Sequence, residues 1–198
     1  HQHMSARRQR QMCIRDSNGL LQYEGGLKKM DDGSFVFQGQ GTLYNQTGQS
    51  VYQGLWEVGT RSGNGTAWLE DGSIYSGNWV DDYPDGKGTY LFPDGTEYEG
   101  GFIRGKKHGQ GTFKEADGFV SYDGEWKDGQ RFGKGRVNKR DSSSYEGDWL
   151  DGKPHGNGMF TYPDGRVYTG TMKQGLRQGL GELRRSDGSI AYEGEWDK

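Results

Sequence analysis

Little in this chain is suited to catalytic chemistry or to a thick core. It has a single cysteine, Cys13, so neither a disulfide framework nor a cysteine-based zinc site can form within one chain. Its 4 prolines exclude collagen and a proline-rich linker. No apolar run approaches the ~18 residues of a membrane-spanning helix. Apolar residues other than glycine make up only 29%, whereas the usual ~45–50% of globular domains counts glycine as well. Positive charge is short as well, and the net charge is −3. Without the first seventeen residues, which hold Arg7, Arg8, Arg10 and Arg15 against Asp16, 21 basic and 27 acidic residues remain. Nucleic-acid binding needs a basic face, so no nucleic-acid partner is expected. The lone cysteine fits a reducing compartment. The expected location is cytoplasmic, with cytoskeletal or membrane association left open.

What the chain does hold is glycine, 37 of 198 residues, together with 6 Trp, 12 Tyr and 8 Phe. Disordered chains are poor in aromatics. Few but large apolar side chains suit a thin, single-layer structure.

His1 to Ser17 lacks glycine, aromatics and strand alternation. It is expected to be a non-native or disordered leader, outside the fold. From Tyr23 onward the chain is periodic. Tyr-x-Gly-x-(Trp or another large apolar residue) starts at Tyr23, Tyr52, Tyr75, Tyr98, Tyr122, Tyr145, Tyr168 and Tyr192, in steps of 29, 23, 23, 24, 23, 23 and 24. A fixed period in this range marks a repeat architecture. Gly-x-Gly follows at Gly63/Gly65, Gly86/Gly88, Gly109/Gly111, Gly133/Gly135, Gly156/Gly158 and Gly179/Gly181, always 11 residues after the tyrosine. The first repeat carries five extra residues, expected in one loop. The longer steps place one extra residue after a turn glycine, as in Gly118-Phe119-Val120-Ser121-Tyr122, a natural place for a bulge.

Strand periodicity assigns the faces. In Tyr145-Glu146-Gly147-Asp148-Trp149, the Tyr, Gly and Trp share one face and the acids point the other way. Large rings on one strand can lie over bare glycine backbone on its neighbour. Asp71-Gly72, Asp94-Gly95, Asp117-Gly118, Asp164-Gly165 and Asp187-Gly188 favour tight hairpins, while Asp141-Ser142 predicts a looser turn. Each repeat is therefore a two-strand hairpin. Residues 18–198 are expected to form one all-β array of about seven hairpins plus the first strand of an eighth. The abrupt stop after Trp196 reads as a truncated end. Such a meander is elongated, with a radius of gyration above the ~16–17 Å of a compact globule of this length.

These residues resemble the MORN repeat (membrane occupation and recognition nexus), with its Tyr-x-Gly-x-Trp-x-x-Gly-x-x-x-Gly-x-Gly pattern. Leu27, Phe102 and Met172 replace the Trp. Asp82 stands where Gly59, Gly105, Gly129, Gly152 and Gly175 occupy a loop. Looser packing is expected in those units. The resemblance implies an elongated, single-layer antiparallel meander of 23-residue β-hairpin repeats. It also implies a role in scaffolding, dimerisation or recruitment near membranes.

No phosphate-binding loop or dinucleotide fingerprint occurs. His108 and His155 share a repeat position that elsewhere holds Ser62, Asp85, Phe132 or Gln178. A slot that accepts phenylalanine is not a required ligand or base. No enzymatic activity, cofactor or metal site is expected. The expected function is a scaffold that mediates protein–protein association, at a membrane or cytoskeletal structure or elsewhere in the cytoplasm. The alternatives are a regulatory or targeting segment of a larger enzyme, such as a phosphatidylinositol phosphate kinase, and a phospholipid-binding module. Lipid binding has little charge to support it.

Three surfaces are candidates. The aromatic ladder, with Tyr75, Trp79, Tyr98, Phe102, Tyr122, Trp126, Tyr145 and Trp149, is the fold's core or in part an exposed groove for a protein partner. The opposite face carries Glu99, Asp123, Glu125, Glu146, Asp148, Glu193 and Glu195 beside Lys87, Lys134 and Arg136, and is a solvated face or a docking strip for a basic partner. The last strand, with Tyr192, Glu193, Glu195 and Trp196, is a candidate homodimer edge.

Overall fold

The computed structural model describes residues 12–197. Every regular element among them is a strand. Two compact units divide the chain, His1–Tyr90 and Leu91–Lys198. The first holds β1 (Met12–Arg15), β2 (Leu21–Lys29), β3 (Phe35–Tyr44), β4 (Ser50–Glu57), β5 (Thr60–Trp68), β6 (Ile74–Val80) and most of β7 (Tyr83–Leu91). The second holds β8 (Glu97–Ile103), β9 (Lys106–Lys114), β10 (Val120–Lys127), β11 (Gln130–Asn138), β12 (Ser144–Leu150), β13 (Lys153–Thr161), β14 (Val167–Lys173), β15 (Leu176–Arg184) and β16 (Ile190–Trp196). Within each unit the strands lie side by side in chain order, as an open antiparallel meander.

The first unit begins earlier than the sequence suggests. Met12–Arg15, inside the segment read as a leader, pairs with β2 (Ile14 opposite Tyr23). The Asp16 carboxylate accepts hydrogen bonds from the backbone N–H of Asn18 and Leu20, at 2.9 and 3.0 Å. Asp-Ser-Asn-Gly is thus one more turn of the array, overlooked because its strand carries no Tyr or Gly-x-Gly. The rest of that segment, residues 1–11, lies outside the described residues.

The turns differ from expectation in which end of the hairpin is tight. The two-residue turns are Val58-Gly59, Asp81-Asp82, Arg104-Gly105, Asp128-Gly129, Asp151-Gly152 and Gln174-Gly175, with both residues at positive φ. That is the primed geometry whose twist matches paired strands. The Asp-Gly sites form five-residue turns instead. Leu69 N–H reaches Ser73 O at 2.9 Å and Gly72 N–H reaches Leu69 O at 3.0 Å, with the Asp71 carboxylate accepting from Ser73 N–H. The five extra residues of the first repeat convert its two-residue turn into this longer kind, at Met30–Ser34, and lengthen β2 and β3.

Asp141-Ser142 forms the same turn as its glycine-bearing counterparts, with Lys139 N–H to Ser143 O at 2.8 Å. Ser142 therefore sits at φ 68°, where a Cβ is strained. Ser142→Gly removes ~1–2 kcal/mol of left-handed strain and adds somewhat less unfolded-state freedom. A net gain of roughly 0.5–1 kcal/mol is expected from urea denaturation midpoints. A loss of stability would show that the turn does not carry this strain.

The 24-residue steps place a bulge where the spacing predicts one. Val120 pairs with Lys114 and Tyr122 with Phe113, leaving Ser121 without a partner in the register. Val51 and Ala191 are skipped in the same way. A second irregularity, which the spacing does not reveal, separates the motif glycine from the Trp position, as between Gly147 and Trp149.

Candidate functional site

The tyrosine of each repeat lies over the central glycine of its own strand and the paired glycine of the next. For Tyr145 these are Gly147 and Gly158, directly opposed in the register. The Tyr145 hydroxyl donates to Asp148 O at 2.9 Å, and Tyr122 to Glu125 O at 2.9 Å. Each motif tryptophan's indole donates backward, as from Trp126 to Gly111 O and from Trp149 to Gly135 O, both 2.9 Å. Successive repeats join edge to face, with Tyr122 and Trp149 centroids 5.4 Å apart at 89°. In the first unit Tyr52 and Trp79 do the same, at 5.4 Å and 88°.

This geometry decides between the two readings of the ladder. Tyr75, Trp79, Tyr98, Phe102, Tyr122, Trp126, Tyr145 and Trp149 are 0–6% exposed and form the core. They are not an open groove, because their faces are closed by glycine backbone below and by side chains above. The expectation of looser packing fails at Phe102 and Met172, which stay buried, whereas Leu27 is half-buried.

The covering cations, Arg61, Lys107, Arg131 and Arg177, share one repeat position nine residues after the tyrosine, which holds Pro84 and Pro154 in the other two repeats. Each cation rests on the rings of its own tyrosine and the next tryptophan. Arg61 is 4.3 Å from the Trp79 centroid. Arg131 is 4.8 Å from Tyr122 and 5.3 Å from Trp149. Arg177 is 4.0 Å from Trp196. The Lys107 ammonium stands within 4.8–5.1 Å of Phe92, Tyr98, Phe113 and Trp126. Burial pushes the Lys107 and Arg131 pKa values below their usual ranges. Among the described residues, Arg61 alone of these cations is ion-paired to a carboxylate. Asp82 Oδ1 accepts from Arg61 N and Nε at 2.9 and 3.0 Å. Among the described residues no ion pair forms at Lys107, Arg131 or Arg177. An open cavity of about 410 Å³ lies between Lys107 and Arg131, lined also by Phe113, Trp126, Gly129, Gln130, Asp151 and Gly152. The sequence held this row at a fixed offset. Its meaning was hidden because two members are proline, and because a two-strand period does not show which side chains fold back over the rings.

The opposite face of the second unit is a groove of about 840 Å³, floored by Gly124, Gly135, Gly147 and Gly158. Its carboxylates are largely matched within the sheet. Lys134 pairs with Asp148 at 2.6 Å and Arg136 with Glu146 at 3.6 Å. Glu125 accepts from Lys134 N–H, and Lys114 bridges Glu97 and Glu99. The Lys134 ammonium holds the Asp148 carboxyl below the usual range. This is a paired face, and an uncompensated acidic strip for a basic partner is not present across it. Among the described residues no three His, Cys, Asp or Glu side chains converge to hold a metal ion.

At β16, Glu193 and Glu195 lie opposite Glu182 and Leu180. Trp196 turns inward like the other motif tryptophans, donating to Gly181 O at 3.1 Å beneath Arg177. Tyr192 is the exposed ring of that edge, at 44%, whereas the seven equivalent tyrosines are 0–2% exposed.

The MORN-repeat model matches residues 52–74, 75–97, 98–119, 122–138, 145–165 and 168–190. The chain belongs to the MORN-repeat family, whose repeats are interaction modules and not a typical catalytic fold. No curated protein matches it. Among solved structures it is similar to a mutant TCP10 domain of Danio rerio CPAP, with 14% identity, 94% of this chain and 95% of that one covered, and a TM-score of 0.42. It is also similar to the SAS-4 (dCPAP) TCP domain of Drosophila melanogaster, solved in complex with a proline-rich motif of Ana2 (dSTIL). There the identity is 14%, with 86% and 89% of the two chains covered and a TM-score of 0.42.

Proposed function

We propose that this chain is a non-enzymatic scaffold that brings protein chains together, and that one of its contacts is with a second copy through β16. The observation behind it is the exposure of Tyr192 (44%), which the repeat otherwise buries. In every complete repeat the tyrosine covers the glycine of a following strand. Tyr192 covers only Gly194 of its own strand. Among the described residues β16 pairs only with β15, and an edge of that kind beside an exposed ring can template another strand. Antiparallel pairing of two β16 strands supplies one by two-fold symmetry.

Light scattering over a concentration series tests this. The parent chain is expected to reach a dimer mass at high micromolar concentration. Tyr192→Glu, which places charge in the contact, and deletion of residues 190–198 are both expected to keep it monomeric. A parent that remains monomeric throughout overturns the edge contact.

A further inference from the structure

The repeat that departs most from its neighbours contains a bound carboxylate of its own. In the first unit the turn residue is Asp82, and its side chain occupies the cation row by bonding Arg61. The backbone around it is that of the other repeats. Asp82 N–H bonds Arg61 O, Gly129 N–H bonds Lys107 O, and Gly152 N–H bonds Arg131 O, at 3.2, 2.9 and 3.0 Å. All three turn residues have left-handed φ: 68°, 88° and 77°. The difference is the side chain. At Gly129 and Gly152 a Cβ would meet nothing within 4 Å. The cavity beside Lys107 and Arg131 is the space an aspartate there would fill.

We infer that Lys107 and Arg131 form a docking site for an acidic peptide segment of a protein partner, whose carboxylates take the place that Asp82 takes over Arg61. This rests on the protein-binding reading of the chain. The two cations are partly desolvated by aromatic rings and, among the described residues, neither is ion-paired, although Glu115 acts on Arg131 from a distance and Asp151 lines the cavity. An incoming carboxylate in direct contact therefore gains a charge-assisted bond. Phe113 and Trp126 offer apolar contact to the stem of the same side chain. Lys107 and Arg131 belong to adjacent repeats, which at two strands of ~4.8 Å each are roughly 10 Å apart. Acids about three residues apart along one extended chain span that distance, at ~3.4 Å per residue. A peptide fits better than an anionic bilayer. Exposed Asp128 and Asp151 flank the two glycines. A flat anionic surface would be pressed against both, whereas single side chains pass between them.

The test is fluorescence anisotropy of a labelled octaglutamate peptide with the full chain, beside sedimentation with phosphatidylserine vesicles. Octaglutamate is expected to bind and octalysine not. Gly129→Asp and Gly152→Asp, which supply the carboxylate internally, are each expected to weaken binding about tenfold, as loss of one charge-assisted hydrogen bond implies. Lys107→Gln and Arg131→Gln should weaken it similarly. Each variant should keep the parent's strand signal in circular dichroism, which separates lost binding from misfolding. Gly118→Asp is the control, since it adds the same charge at a similarly left-handed glycine with open space around it, in a different turn. It should leave binding unchanged. Absence of octaglutamate binding, or binding that Gly129→Asp and Gly152→Asp leave intact, overturns the site, as does vesicle binding without peptide binding. If the peptide fails but the parent dimerises, the acidic site falls and the scaffold reading stands. If the peptide binds a monomeric parent, the β16 contact falls and the site stands.

Discussion

Gly147→Ala is expected to destabilise the second unit by about 3 kcal/mol, the upper end of the usual range for overpacking. A Cβ at Gly147 would stand 2.5 Å from Gly158 Cα and 2.6 Å from both Asn157 O and the Tyr145 hydroxyl. Two of those three atoms are backbone and cannot swing aside. The clash arises because glycines oppose each other across three consecutive strands, Gly135 to Gly147 to Gly158. That bare stripe is what allows the Tyr145 ring to lie flat across the sheet. Gly109→Ala is the comparison. Gly109 has φ 66° but open space at its Cβ, so only left-handed strain of about 1 kcal/mol is added. Urea and thermal denaturation followed by circular dichroism should separate the two variants clearly. In a repeat array each hairpin leans on its neighbours, so Gly147→Ala should also broaden or split the transition. Equal midpoints for the two variants would show that the glycine stripe is not what sets the packing.

The stripe was legible in the sequence because it follows from strand alternation alone. Tyr, Gly and Trp at two-residue spacing must share a face, and a 23-residue step must bring like motifs into register. The 24-residue steps likewise announced the bulges at Ser121 and Ala191. Tertiary effects were not legible. Asp-Gly is a signal for more than one turn, and the five-residue form won because the tight turn falls at Val58-Gly59 and its equivalents. Asp82 looked like a weakening of the motif. Its carboxylate instead bonds a side chain 21 residues earlier in the chain, a contact no local pattern displays. The aromatic ladder was correctly located, yet sequence alone could not tell a core from a groove. That depended on the cations that close over it.

Raising the pH above 10 is expected to unfold the protein in one cooperative step, because the buried tyrosines must stay protonated in the folded state. An unfolded tyrosine ionises near pH ~10. Burial pushes Tyr52, Tyr98 and Tyr145 up to about 12, and Tyr75 and Tyr122 higher still. The folded pKa is the raised one, so the native state holds more protons than the unfolded state above pH ~10. The stabilisation is complete below that value and is lost as the pH climbs toward the folded pKa. Each such tyrosine withdraws up to ~1.4 kcal/mol per pH unit in this window, and several act together. Tyrosinate absorbance and the strand signal in circular dichroism should therefore change together between pH about 10 and 12. Tyr122→Phe separates the causes. It removes the hydroxyl bond to Glu125 O, at about 1 kcal/mol of stability near neutral pH, and also removes one titrating group. Its stability should fall less steeply than the parent's in the alkaline range, so the two curves converge as pH rises. Tyrosines that ionise near pH ~10 while the strand signal persists would mean that their hydroxyls reach water. The closed ladder would then be open in solution.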